Sequence, residues 1–146
     1  MTVDALQRFL VESFPESPPT AVVEELTDWG VRVRQPISAV NSRPGGTISG
    51  PSLMALADLT AWSAVLAEIG PVPLSVTTSL HIDFLRRPDL VDVLAEGRIL
   101  KLGRRLAVIA VSMRSDGSGP VLAHAQVTYS IPPDRPPADG ARPAGG

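Results

Sequence analysis

Between Pro44 and Ala67 the chain reads PGGTISGPSLMALADLTAWSAVLA, and Asp58 is the only charged side chain in that stretch. A segment that opens on glycines and then stays apolar for the length of a long helix has no polar face to turn toward water, so it has to be enclosed by other elements. Pro51 suits the first turn of such a helix and Gly70 the position just past its end, which predicts a helix from about Pro51 to Ile69. Ala55, Ala57, Ala61, Ala64 and Ala67 permit close approach of neighbouring backbone, as expected of a helix gripped by a sheet. A bilayer span is excluded by Gly45, Gly46, Gly50, Pro51 and Asp58, which leave too short a clean apolar run.

An isolated carboxylate inside such a helix needs a reason, because taking it out of water costs several kcal/mol even after relaxation. It is paired, for instance with Arg43, or hydrogen-bonded, or kept for chemistry. Asp58 is read here as the catalytic residue of a hydrolase.

The flanking segments say what encloses the helix. Leu6, Phe9, Leu10 and Phe14 recur at helical spacing after Thr2, a candidate N-cap, and Pro15, Pro18 and Pro19 close the segment, giving an N-terminal helix and linker over residues 1–21. Val22 to Thr27 and Val31 to Ile37 read as a half-buried hairpin turned at Asp28-Trp29-Gly30. From Leu74 the period becomes two: Leu74, Val76, Leu80, Ile82 and Phe84 share one face, expected to be core, and Ser75, Thr77, Ser79, His81 and Asp83 the other. Val91 to Lys101 and Arg105 to Arg114 flank the Leu102-Gly103-Arg104 turn, and Val121 to Ile131 follows a Ser/Asp/Gly loop. Helix, two strands, long helix and four strands predict an α+β domain over residues 22–131, an antiparallel sheet curled around the central helix. Residues 132–146 are rich in proline and glycine and are expected to be a disordered tail.

Composition narrows the functional classes. At 146 residues the chain suits one domain, and 13 basic against 15 acidic residues leave a formal charge of -2, with no footprint for nucleic acid or an anionic membrane. The lack of cysteine removes a disulfide framework, a thiolate zinc site and a cysteine nucleophile together. Asp4 and Arg8 interrupt the apolar pattern of the N-terminus, which therefore does not read as a signal peptide, and a cytoplasmic location is expected. His81 and His124 fall on different predicted strands without a carboxylate at ligand spacing, so no metal is expected. Phosphate-cradling and dinucleotide-binding glycine motifs are absent, and no cofactor is implied.

RPGGTISGPSLMALAD, the strand VTTSLHIDFLRRP and the hairpin LKLGRRLAVIAVSMRSDG, taken in that order, resemble the hotdog-fold acyl-CoA thioesterases of the phenylacetate-degradation type over roughly Val22 to Ile131. The resemblance implies hydrolysis of acyl-CoA by a dimer or a dimer of dimers, with Asp58 at the position of the family's acidic residue, which activates water or attacks the thioester carbonyl. It also implies that Thr77 is the hydroxyl that helps hold the attacking water. Strict alternation instead turns Thr78 toward the core, so Thr78 is the alternative register unless the strand bulges. The family usually has His-Gly-Gly where this chain has Ser49-Gly50-Pro51, and an asparagine six residues earlier, where this chain has Arg43; Asn41 is nearby but two residues off register. Arg43 points to a different acyl group or one bearing a carboxylate. Ser49 either orients the carbonyl or a water in place of the histidine, or is a loop hydroxyl bonded to backbone.

Elementary chemistry adds the geometry. Thioester hydrolysis needs a base or nucleophile and donors aimed at the developing oxyanion, and the Gly50 N–H at the helix N-terminus is such a donor. Asp58 lies about 12 Å further along the same helix, at roughly 1.5 Å per residue, whereas reacting groups must come within about 3–3.5 Å. One chain cannot supply both groups to one carbonyl, so a two-fold dimer with shared sites is expected. Arg86, Arg87, Arg104 and Arg105 are candidates for the phosphates of CoA, or ordinary turn charges. Trp62 and Met54 are candidates to line an acyl pocket, or plain core. The expected substrate is a medium-chain or aromatic acyl-CoA; the alternatives are a non-catalytic acyl-CoA-binding protein and, further off, an enoyl-CoA hydratase.

Overall fold

The structure, a computed structural model, describes residues 1–37, 42–43, 47–72, 74–117 and 119–133. Helix α1 (Val3–Ser13) is followed by β1 (Val22–Thr27) and β2 (Gly30–Gln35), the two-residue strands β3 (Ser42–Arg43) and β4 (Thr47–Ile48), and the long helix α2 (Gly50–Ile69). Four strands complete the chain: β5 (Val76–Phe84), β6 (Val93–Leu102), β7 (Leu106–Ser115) and β8 (Ala123–Ser130). Thr2 caps α1 by accepting from the Ala5 N–H at 3.1 Å. At the far end of α2 the cap is Gly70, whose φ of 86° lies in the region open to glycine. Strand β2 stops at Gln35, two residues before its expected end, because Pro36 has no N–H to extend the ladder. The β3–β4 pair was not anticipated: two residues per strand are too few for a period to register.

Six strands form one antiparallel sheet in the order β1-β2-β6-β7-β8-β5. Alternation gives it a buried inner face that includes Val31 and Val33, Ala95 and Ile99, Ile109 and Val111, and Ala125 and Val127, and α2 packs on that face. Small residues let the helix come close. A Cβ on Gly97 of β6 would stand 3.0 Å from Thr60 Cγ2 and 3.3 Å from the Thr60 carbonyl oxygen, so the missing side chain is part of the helix–sheet contact. The buried hydroxyls of Thr60 and Ser63 donate to the carbonyls of Leu56 and Leu59, each at 2.7 Å, which satisfies them inside the helix. Leu66 and Val65 are fully buried, and such side chains contribute about 1.5–3 kcal/mol each on leaving water. The apolar run is longer than expected: among the described residues α2 is the one helix that by length and composition could cross a bilayer, and its burial against the sheet accounts for that apolarity.

α1 is held at the opposite edge of the sheet from β5. Leu6 and Leu10 are fully buried, and the Gln7 side chain stands in as a strand partner: its Oε1 accepts from the Val23 N–H at 2.8 Å and its Nε2 donates to the Ala21 carbonyl at 3.3 Å. On the outer surface the Arg34 guanidinium donates to Glu24, Asp92 and Asp116, joining β1 and β2 to the segments that flank β6 and β7.

Strand β5 departs from the expected alternation. Its register on β8 shifts between Thr77 and Ser79, so Thr78 is an extra residue. Thr77 pairs with Tyr129 and Leu80 with Val127, both inward positions of β8, whereas Val76 pairs with Ser130. Val76 therefore does not share a face with Leu80, Ile82 and Phe84, as strict alternation predicted. Nor is that face wholly core. β5 is an edge strand, and while Leu80 and Ile82 are partly buried against the core, Leu74, Val76 and Phe84 are exposed. Residues 134–146, most of the expected tail, lie outside the described part of the chain.

Candidate active site

Asp58 is half-buried on α2, facing the ends of β5 and β8. Thr77 Oγ1 donates to Asp58 Oδ1 at 2.7 Å, and the Tyr129 hydroxyl donates to the same oxygen at 2.6 Å while also reaching the Asp58 carbonyl oxygen at 3.2 Å. Among the described residues no other side chain hydrogen-bonds the Asp58 carboxylate, and the two hydroxyls share Oδ1. Charge-assisted O–H···O⁻ bonds this short fix the carboxylate's rotation. Burial pushes the Tyr129 phenol well above its ordinary value, and the bond to Asp58 pushes it further, so the phenol remains a proton-bearing donor throughout the neutral range.

The bulge is what brings Thr77 here. Thr78, the extra residue, turns instead to the sheet and donates to the Thr128 carbonyl at 3.2 Å. Tyr129 was not among the residues singled out from sequence. The signal was present: Ala123, Ala125, Val127 and Tyr129 form the inward row of β8, and a tyrosine ending such a row brings a hydroxyl that needs a partner.

At the start of α2, Ser49 is the N-cap: its Oγ accepts from the Ser52 N–H at 3.3 Å and lies 2.8 Å from Ser52 Oγ. Gly50 is the first helical residue, ahead of the ladder that begins with the Leu53 N–H donating to the Ser49 carbonyl at 3.3 Å, so its amide is one of the unpaired donors of a helix N-terminus. A Cβ at Gly50 would meet only the Phe84 ring at 3.5 Å, an ordinary contact. Its own chain thus leaves room for a side chain there.

The remaining candidates divide. Trp62 is buried, edge-on to Phe14 with ring centroids 5.7 Å apart and tilted against Phe9 at 6.0 Å. It lines a cavity of about 490 Å³ together with Asp58, Thr77, Tyr129, Val76 and Phe14. Met54 is exposed and lines neither this cavity nor its neighbour. Arg104 and Arg105 occupy the exposed β6–β7 turn, and the Arg105 carbonyl accepts from the Ile131 N–H at 2.8 Å, which puts that turn at the sheet end carrying Thr77 and Tyr129. Arg86 and Arg87 are exposed beyond the other end of β5. Arg43 belongs to β3, but its side chain, like all of Asn41, lies outside the described residues. The sheet register sets Asp83 opposite His124, and Asp83 also meets His81 Nε2 at 3.1 Å; two residues along the same strand face, it is a carboxylate that the expectation of none at ligand spacing passed over. Among the described residues no three such groups gather as a metal ion would require.

Comparison with known proteins gives this geometry a family. The family model described as the thioesterase superfamily matches residues 45–122. The crystal structure of a candidate thioesterase from Silicibacter sp. TM1040 is 40% identical, with a TM-score of 0.84 over 91% of this chain and 93% of that one. Similarity extends to a variant of the phenylacetic acid degradation protein PaaI from Thermus thermophilus, at 26% identity and a TM-score of 0.66, covering 77% of this chain and 93% of that one. Zebra fish thioesterase superfamily member 2 shares the fold at 19% identity, with a TM-score of 0.78 over 90% of this chain and 99% of that one. A search of curated proteins returns no match. An antiparallel sheet packed on a long central helix, with the family match running through that helix and strands β5, β6 and β7, makes this chain a hotdog-fold member of the thioesterase superfamily.

Proposed function

We propose that the protein is an acyl-CoA thioesterase of the phenylacetate-degradation type, acting in the cytoplasm as a homodimer or a dimer of dimers. Its substrate is a medium-chain or aromatic acyl-CoA, cleaved to free acid and CoA. The observation that carries this reading is the Asp58 carboxylate, clamped at Oδ1 by Thr77 and Tyr129 and lining a cavity. In the proposed step Oδ2 takes a proton from water as the oxygen attacks the thioester carbon. The tetrahedral oxyanion is met by the N–H of the partner subunit's Gly50; collapse then breaks the C–S bond, and Asp58 returns its proton to the CoA thiolate. Direct attack by the carboxylate, through an anhydride, uses the same group.

Two features support the shared site. Gly50 and Asp58 are about 12 Å apart along one helix, at roughly 1.5 Å per residue. Among the described strands the nine-residue β5 stands at the sheet edge, where a second copy can pair. Arg104 and Arg105 flank the same sheet end and suit the CoA phosphates. The test is thiol release from a panel of acyl-CoAs by wild type, Asp58→Ala and Asp58→Asn. Loss of at least about 10²-fold in both variants is expected; release unaffected by either would remove Asp58 from the role, and tight binding without turnover by wild type would make the protein an acyl-CoA-binding module.

A further inference from the structure

The cavity at Asp58 continues beyond the carboxylate. A second cavity of about 420 Å³, walled by Pro18, Pro19, Gln35, Ser52 and Leu56, shares Phe14, Ala55 and Leu59 with the first. The two cavities adjoin at these walls, and together they outline a groove along α2. Ser52, Ala55, Leu59 and Trp62 are spaced to lie on one side of the helix, and the run from Asp58 back to Ser52 is roughly 9 Å, about the length of an eight-carbon chain. Among the described residues Asp58 is the only charged one in either lining, and none of them offers a cation to the phosphorylated end of CoA. A groove whose described walls are uncharged beyond Asp58 and more apolar than polar fits the other end of the substrate.

The outer half of the groove lies outside the span matched by the family model. Phe14, the Pro18–Pro19 linker and Gln35 all precede residue 45, where the family match begins. Their position is set by buried Leu6 and Leu10 and by the Gln7 bonds to Ala21 and Val23, so this wall is anchored rather than loosely draped. Phe14 stands where the cavities meet, half-exposed and edge-on to Trp62.

We infer that this groove holds the acyl chain of an unbranched acyl-CoA, with the thioester at Asp58 and the chain running past Phe14 toward Pro18 and Pro19. The enzyme then selects linear chains of about eight carbons or more over short or aryl groups. This rests on the thioesterase reading, and a binding arm separates the two. Octyl-CoA, butyl-CoA and phenethyl-CoA thioethers, which cannot be hydrolysed, are titrated into Asp58→Asn protein, and kcat/KM is measured for octanoyl-, butyryl- and phenylacetyl-CoA on wild type. Preference for the octyl over the butyl compounds by about 10²-fold is expected, since four more buried methylenes contribute several-fold each, and the phenethyl compounds, whose ring ends short of the outer half, should also fall below the octyl ones. In Ala55→Phe, which fills the junction, and in Ser17→Trp, which fills only the outer half, the octanoyl-to-butyryl ratio should fall at least about tenfold. Both positions are exposed, so neither substitution burdens the core. Equal thioether affinities, a preference for the phenyl compounds, or a ratio unmoved in both variants would overturn the groove assignment. Absence of hydrolysis with chain-length-dependent binding would overturn the hydrolase and leave the groove standing.

Discussion

The Tyr129 hydroxyl stands 2.6 Å from Asp58 Oδ1, so a buried residue of β8 and a half-buried residue of α2, far apart in sequence, act as one unit with Thr77 on the same oxygen. Tyr129→Phe removes one of the two donors without changing the ring. Its kcat should fall about tenfold with KM little changed, and Thr77→Val should behave alike. The double variant should lose less than the product of the two single losses, since the donors share one acceptor. A steady-state double-mutant cycle on one acyl-CoA reads this, and full additivity would separate the two hydroxyls.

The raised phenol has a consequence at alkaline pH. The unfolded chain gives up the Tyr129 proton near its ordinary value of 10.0, while the folded phenol holds it higher because of burial and the bond to Asp58. Above that pH the native state binds more protons than the unfolded state, so stability present below about pH 10 is lost as pH rises toward the folded value. Denaturant midpoints from pH 8 to 11.5 should decline more steeply for wild type than for Tyr129→Phe, and parallel slopes would contradict it.

The proposed shared site can be tested by complementation. Asp58→Ala lacks the proposed base, and Gly50→Pro lacks the N–H at a helix start that tolerates proline. Each homodimer should be nearly inactive, while co-expressed heterodimers carry one site with both defects and one with neither. About half of wild-type activity per isolated heterodimer is expected, and none would mean that each site is built within one chain.

Gly97→Ala places a methyl 3.0 Å from Thr60 Cγ2 and 3.3 Å from the Thr60 carbonyl. Thermal unfolding should show a loss of about 1–3 kcal/mol through overpacking. Adding Thr60→Ser, which removes Cγ2 but keeps the hydroxyl bonded to Leu56, should recover part of it; no recovery would place the strain on the backbone contact.

Much of this was legible in the residues. An apolar run with one charge forecast α2 nearly to its ends, since proline, glycine and burial act locally there, and the same run singled out Asp58. The order of hairpins followed from turn residues and period. Pairing order is a long-range property, so the exposure of β5 at a sheet edge was not visible, and its apolar row was read as core. Thr77 came from resemblance against alternation, and only the bulge reconciles the two. Tyr129 lay in plain alternation with Val127, but nothing local says that the end of β8 meets Asp58.

The extra residue in β5 also changes how kindred sequences have to be lined up. A relative one residue shorter at Thr78 keeps both its Thr77 and its Leu80 counterparts turned toward the helix, because the deletion removes the supernumerary position and nothing else. The hydroxyl is therefore located by counting across the ladder from Tyr129, and an ungapped alignment through this strand assigns the role to the wrong neighbour.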